Sequence, residues 1–78
     1  MNAALALLSA TVAEAGLELR DIICRRSTAA AYPTKCLAVK RMRDAGISWP
    51  VLSRSIGYAH HGQAMHALRR FNEMEMTT

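Results

Sequence analysis

Hydrophobic residues recur along the first part of the chain at the three- to four-residue spacing of helices. This pattern predicts a first helix over residues 2–15, and Gly16 is a suitable stop for it. A short second helix is predicted over about residues 18–24. The apolar residues that define the two helices are Leu5, Leu8 and Val12 in the first and Leu19, Ile22 and Ile23 in the second.

A third helix is predicted to open at Pro33, because proline suits a first turn and the residue before it, Tyr32, avoids helical geometry. This helix runs to about Ala45, and Gly46 ends it. Its inward stripe is Ala38, Met42 and Ala45, with Leu37 beside them. Its exposed sides are expected to carry the basic residues Lys35, Lys40, Arg41 and Arg43.

Residues 48–73 predict a short helix, a bend and a longer helix, which together make a helix-turn-helix. Ser48 is a good N-cap, Pro50 suits the first turn, and Gly57 breaks the chain. The last helix starts near His61 or Gly62, and residues 74–78 are expected to fray. The inward positions are Leu52, Ser53 and Ile56, then Ala64, Ala67, Leu68, Phe71 and Met74.

The length and composition favour one small helical domain over residues 1–78. Hydrophobic residues make up 51% of the chain but aromatic residues only 5%. Ala, Leu, Ile, Val and Met supply the rest, which is typical of helices rather than strands. We therefore predict an all-α fold, a small bundle of four to five helices.

Basic residues are concentrated in the middle of the chain. The net charge is +4, and residues 24–72 contain nine Lys and Arg but a single acid, Asp44. A solvated charged surface is the ordinary explanation of a basic bias. Nearly unbalanced basicity over such a length favours a polyanionic partner instead.

Nothing in the sequence indicates secretion or membrane insertion. The apolar N-terminal run has no Lys or Arg before it and is soon followed by Glu14, so it fits an amphipathic helix better than a signal peptide. No run is long enough to span a bilayer. We expect a cytoplasmic protein, associated with the nucleoid if it binds DNA, in which Cys24 and Cys36 are reduced and buried.

The start of the last helix, HHGQAMH, carries side chains suited to DNA. A recognition helix places its N-terminus and short polar side chains in the major groove, where Gln pairs naturally with adenine. Basic residues elsewhere contact phosphates or enter the minor groove. The candidate nucleic-acid-binding residues are Arg25, Arg26, Lys35, His60, His61, Gln63, His66, Arg69 and Arg70. Simpler explanations stay open: helix capping by the histidine pair, a half-buried His66, and solvated arginines.

Metal binding and catalysis are disfavoured. Adjacent helical histidines point about 100° apart, and His61 and His66 are five residues apart rather than the three or four that share a face. The acids are scattered, and there is no Ser/His/Asp order or phosphate-cradling glycine loop. We predict no enzyme, no metal or cofactor, no small-molecule substrate and no membrane partner.

Four segments, VAEAGLELRDIICRR, AAAYPTKCLAVKRM, GISWPVLSRSIG and IGYAHHGQAMHALRRF, lie within residues 12–74. Together they resemble the C-terminal DNA-binding domain of the bacterial chromosomal replication initiator DnaA, a Trp-repressor-like helix-turn-helix. They are similar, in order, to the family's opening helices with the basic loop, its proline-led helix, its short helix and its signature helix. The last segment matches without a gap and includes the pair His66 and Ala67.

The resemblance implies that double-stranded DNA is the partner. It implies that Arg26 enters the minor groove and that the backbone is contacted near Trp49 and Pro50. The family's recognition helix opens with Asp-His-Thr-Thr, where this chain has His60, His61, Gly62 and Gln63, so only His61 is retained. The fold and the DNA-facing geometry are expected to survive, whereas specificity for the family's initiator box is not.

Two functions follow from these features. The first is a small DNA-binding regulator of transcription or replication, encoded by a phage or mobile element, with one contiguous positive face. The second is a protein-interaction module or small inhibitor that keeps the fold but binds a protein partner, such as a host nucleoprotein complex. The second predicts an exposed apolar patch around the first helix, Trp49 and Tyr58. A homodimer through the first helix is compatible with both.

Overall fold

Five helices form the part of the protein that the computed structural model describes, residues 3–23 and 30–76. They are α1 (Ala3–Glu14), α2 (Leu19–Ile23), α3 (Tyr32–Asp44), α4 (Trp49–Ile56) and α5 (His61–Met76). These residues contain no strand, so the predicted all-α fold of four to five helices is confirmed for them. None of their helices combines the length and apolar character needed to cross a membrane.

The helix boundaries follow the predicted ones except at the start of α3 and the end of α5. The Lys35 amide donates to the Ala31 carbonyl at 3.1 Å, so Tyr32 is the first helical residue. The prediction that Tyr32 lies outside the helix is therefore wrong, because Pro33 lacks only a donor that a first turn does not use. α5 continues through Met76 and Met74 packs against the core, so the helix includes residues 74–76 of the tail that was predicted to fray.

Three helices, α1, α3 and α4, are each followed within two residues by a glycine in the left-handed conformation. At the end of α4, the Gly57 amide donates to the Arg54 carbonyl at 3.4 Å and the Tyr58 amide donates to the Ser53 carbonyl at 2.9 Å. This Schellman pattern satisfies carbonyls that a helix end leaves unpaired. Gly57 also has no room for a side chain, since a Cβ there would collide with the carbonyl oxygen of Ile23.

The core lies around α3, which packs against the other four helices. The largest fully buried side chains include Leu8, Ile22, Val39, Met42, Leu52 and Ile56. The buried side of α5 contains Ala64 and Ala67. Ala45 and Ile23, predicted to face inward, are exposed, because each lies at or beyond the last residue of its helix. Cys36 is buried as predicted, and Cys24 lies outside the described residues.

An ion pair joins α1 to α3. Arg41 Nη2 donates to Glu14 Oε1 at 3.2 Å, while Nη1 donates to Glu14 Oε2 and, at 3.3 Å, to the Thr11 hydroxyl. Hydrogen bonding to Arg41 lowers the pKa of the Glu14 carboxyl below its ordinary value. The fold thereby pairs Glu14, from the acidic beginning of the chain, with Arg41 of its basic middle.

Candidate nucleic-acid interface

The exposed residues of α5 include most of the polar side chains that are suited to DNA contact. His61, Gln63 and His66 are exposed, as is His60 just before the helix, while Ala64 and Ala67 are buried. His66 and Arg69 are three residues apart, so they lie on the same side of the helix. We call the exposed set His61, Gly62, Gln63, Met65, His66, Arg69 and Arg70 the α5 outer face.

The Gln63 side chain caps the start of α5. Its Oε1 accepts hydrogen bonds from the amides of Ala59, at 3.0 Å, and His60, at 3.1 Å. Because Gln63 is the third residue of the helix, this is the glutamine half of a capping box. Paired recognition of adenine needs both the oxygen and the NH₂ group of the side chain. While the cap is formed, only the NH₂ group of Gln63 faces a partner as a free donor.

Gly62 is a glycine for which the fold itself has no requirement. It lies in the first turn of α5 without a left-handed φ, and a Cβ added there would have no neighbour within 4 Å among the residues that the structure describes. A helical glycine destabilises by roughly 0.5–1 kcal/mol relative to alanine. The absence of a side chain leaves the backbone of the first turn of α5 open to close approach.

The far half of the α5 outer face carries one arginine with a carboxylate partner and one without. Arg70 Nη1 lies 3.1 Å from Glu73 Oε2, whereas Arg69 is exposed and has no ion pair with any residue of the described ranges. Met65, which sequence reasoning overlooked, is also on this face and is 45% exposed. It lies four residues after His61 and four before Arg69, and that spacing could have identified it.

Several basic residues of the other helices are neutralised locally. Lys40 Nζ lies 2.8 Å from Asp44 Oδ1 on α3, and Arg41 pairs with Glu14. Arg54 of α4 is exposed and, within residues 3–23 and 30–76, has no ion-pair partner. Because Glu14 comes from outside the basic middle of the sequence, its pairing with Arg41 makes that part of the surface less positive than the count of charges in residues 24–72 indicates.

Lys35 is not on the surface. It is 3% exposed, and its Nζ lies 4.5 Å from the centre of the Tyr58 ring. The prediction that it occupies an exposed side of its helix and contacts nucleic acid is corrected accordingly. Lys35 lies three residues before Ala38, so it continues the buried stripe of Ala38 and Met42. The position of Lys35 on the helix, rather than its charge, therefore determines that it is buried.

Trp49 is the first residue of α4 and is half-buried. The Arg43 guanidinium lies 4.3 Å from the centre of its ring, and Arg43 Nη1 donates to the Ile47 carbonyl at 2.9 Å. Tyr58 is likewise half-buried against Lys35. The apolar patch expected around Trp49 and Tyr58 under the protein-interaction hypothesis is therefore reduced at Trp49 by the Arg43 guanidinium and at Tyr58 by partial burial of the ring.

The two loop arginines, Arg25 and Arg26, lie outside the described residues. Their assignment to phosphate or minor-groove contact stays a prediction. The same holds for the contiguous positive face, because that face needs them beside Arg69 and Arg70.

Two shallow pockets border α5. One, of about 340 Å³, lies at the start of α5 and is lined by Tyr32, Tyr58, Gly62, Gln63 and His66. Burial raises the pKa of the Tyr58 hydroxyl above its ordinary value. The other, also about 340 Å³ and mostly apolar, lies against α3 and is lined by Pro33, Thr34, Leu37, Phe71, Met74 and Glu75. In the described part of the chain, no three His, Cys, Asp or Glu side chains are grouped to hold a metal ion.

No protein-family model, curated protein or solved structure matches this chain. The resemblance to the DnaA domain therefore rests on the residues of the sequence alone.

Proposed function

We propose that the protein binds double-stranded DNA through the α5 outer face and acts as a small regulator of transcription or replication. In this proposal α4 and α5 form the helix-turn-helix, and α5 lies in the major groove. The observation that carries the proposal is the composition of that face. The histidines, the capping Gln63 and Arg69, which has no ion pair within the described ranges, are exposed on the side of α5 opposite the buried Ala64 and Ala67.

Each part of the face has a distinct role in the proposal. His61 and His66 offer ring nitrogens to base edges, and the Gln63 NH₂ group donates to an acceptor such as guanine O6 or N7. Met65 is suited to apolar contact with a thymine methyl group. Arg69 contacts a phosphate, and Gly62 lets the DNA approach the helix backbone.

The test is fluorescence anisotropy on short labelled duplexes, both random and initiator-box, from about 50 to about 200 mM salt. Wild-type protein should bind with a steep salt dependence. Arg69→Ala should weaken binding to all duplexes and reduce the salt slope by about one unit. Lys40→Ala removes the same charge from a side chain that Asp44 already neutralises, so its slope should stay close to that of the wild type.

A second variant separates a functional glycine from an incidental one. Gly62→Ala has room for its methyl group in the isolated protein, so the fold should be as stable as the wild type or more stable. DNA affinity should fall nonetheless, because the methyl group stands where the DNA backbone approaches. Wild-type affinity in both Gly62→Ala and Arg69→Ala would refute the proposed interface.

The second candidate function, a protein-interaction module or inhibitor, is favoured by the apolar pocket against α3. Leu37, Phe71 and Met74 line it, away from the first turn of α5. A protein that binds no duplex at about 50 mM salt would point to this candidate, and a partner pull-down with Phe71→Ala as control would follow.

A further inference from the structure

The backbone of the linker between α4 and α5, residues 57–60, is held in place by contacts with three helices. The Tyr58 amide is bonded to α4 through Ser53, and the Gly57 backbone lies against the last carbonyl group of α2. The Gln63 side chain of α5 accepts from the amides of the last two linker residues, Ala59 and His60. Every residue of the linker therefore has a fixed neighbour.

Lys35 of α3 adds a contact from one more helix. Its Nζ lies 4.5 Å from the centre of the Tyr58 ring, although the side chain is almost fully buried. Burial removes hydration from an ammonium group, which is unfavourable unless other interactions compensate. A cation over the face of an aromatic ring is one such interaction, and it is stronger when it is desolvated.

We infer that Lys35 is a positioning residue for α5: it holds the Tyr58 ring against α3 and thereby fixes the linker from which α5 begins. Tyr58 lines the pocket at the start of α5 together with Gly62, Gln63 and His66. A displaced ring therefore changes the placement of the α5 outer face. The effect on DNA rests on the proposed function, whereas the effect on the linker does not.

The first test needs no DNA. Lys35→Met removes the ammonium group and keeps an unbranched side chain. We expect the amides of Tyr58 and His60 to exchange hydrogen about 2- to 30-fold faster than in the wild type, the range that a cation–π contact represents. The Val12 amide, in α1, should exchange at the wild-type rate. Unchanged exchange in the linker, or equal acceleration at Val12, would overturn the inference.

Replacements at Tyr58 isolate the contact from the other interactions of Lys35. Tyr58→Phe keeps the ring and should exchange like the wild type in the linker. Tyr58→Leu removes the ring and should match Lys35→Met. In the double variant Lys35→Met, Tyr58→Leu, the linker amides should exchange no faster than in either single variant, because both changes remove the same contact. Additive effects would show that the two residues act separately and would overturn the inference.

The DNA measurement then distinguishes positioning from direct contact. On the duplex that the wild type binds most tightly, Lys35→Met should bind about 2- to 30-fold more weakly with an unchanged salt slope. A slope reduced by about one unit would mean that Lys35 itself neutralises a phosphate, which contradicts the inference. If the wild type binds no duplex, the proposed function fails, and hydrogen exchange alone decides the role of Lys35.

Discussion

Replacing Gly57 by alanine should destabilise the protein far more than the same replacement at two other glycines. Gly57 and Gly46 share the left-handed backbone, with φ of 86° and 82°. They differ in their surroundings, because a Cβ at Gly57 collides with the Ile23 carbonyl oxygen, whereas a Cβ at Gly46 meets no atom of the described part of the chain within 4 Å. Gly62 is helical and also open. Alanine at Gly62 therefore reports helix propensity, alanine at Gly46 reports backbone strain, and alanine at Gly57 reports the same strain together with a steric conflict.

The expected free energies of unfolding follow from these differences. Gly62→Ala should stabilise by roughly 0.5–1 kcal/mol through helix propensity. Gly46→Ala should destabilise by about 1–2 kcal/mol, the strain of an L-residue in the left-handed region. Gly57→Ala should have the same backbone strain and a further destabilisation of about 1–3 kcal/mol from forcing the α2 carbonyl away, so its total destabilisation is about 2–5 kcal/mol. A domain of this size has roughly 4–12 kcal/mol of stability in all.

Urea unfolding followed by circular dichroism would measure the series, with thermal melts as a second probe. Each kcal/mol should move the melting temperature by about 4–8 °C. The urea slope should stay constant if the variants change only the native state. Equal destabilisation by Gly57→Ala and Gly46→Ala would refute the argument, because it would mean that α2 does not press on the linker.

Three further perturbations test the core and the ion pair between α1 and α3. Because Arg41 lowers the pKa of Glu14, this carboxylate stabilises the fold above its ordinary pKa of 4.5 and ceases to do so as the pH falls through the lower folded-state value. The difference in melting temperature between wild type and Glu14→Gln should therefore be present at neutral pH and vanish in strong acid; a pH-independent difference would contradict this. Ser53→Ala should be neutral or stabilising by up to about 1 kcal/mol in urea unfolding, because the buried Ser53 hydroxyl has no hydrogen-bond partner among residues 3–23 and 30–76; a clear loss of stability would show that the hydroxyl is satisfied in solution. Ala67→Leu should destabilise by about 1–3 kcal/mol, since Ala67 is fully buried, whereas Ala10→Leu on the exposed side of α1 should change stability by less than about 0.5 kcal/mol in the same assay.

The fold was predictable where a signal is local. The glycines that end α1, α3 and α4 each precede an apolar residue, and the helical stripes of Leu52 and Ile56 or Ala64 and Ala67 are short-range patterns. Lys35 shows how such a signal can be misapplied. Its charge suggested an exposed position, but the period of its own helix places it beside Ala38 and Met42, and the Tyr58 ring makes burial tolerable.

The candidate site was predictable in residue type but not in detail. Exposure of His61 and His66 follows from the stripe opposite the buried alanines. The cap made by Gln63 could have been inferred, because glutamine at the third helical position reaches back to the N-cap amide. The pair of Glu14 with Arg41 spans 27 residues, and no local pattern indicates which arginine an early acid will meet. The surface charge therefore could not be derived from the linear sequence.

The restrained linker has a consequence for the kinetics of any encounter made by α5. A contact helix that is already ordered has no folding step to complete when it meets its partner. The conformational entropy that a flexible arm loses on binding is here lost earlier, when the protein itself folds. Association should therefore follow a single exponential phase whose rate rises in proportion to partner concentration, and variants of the interface should differ mainly in how long the complex lasts.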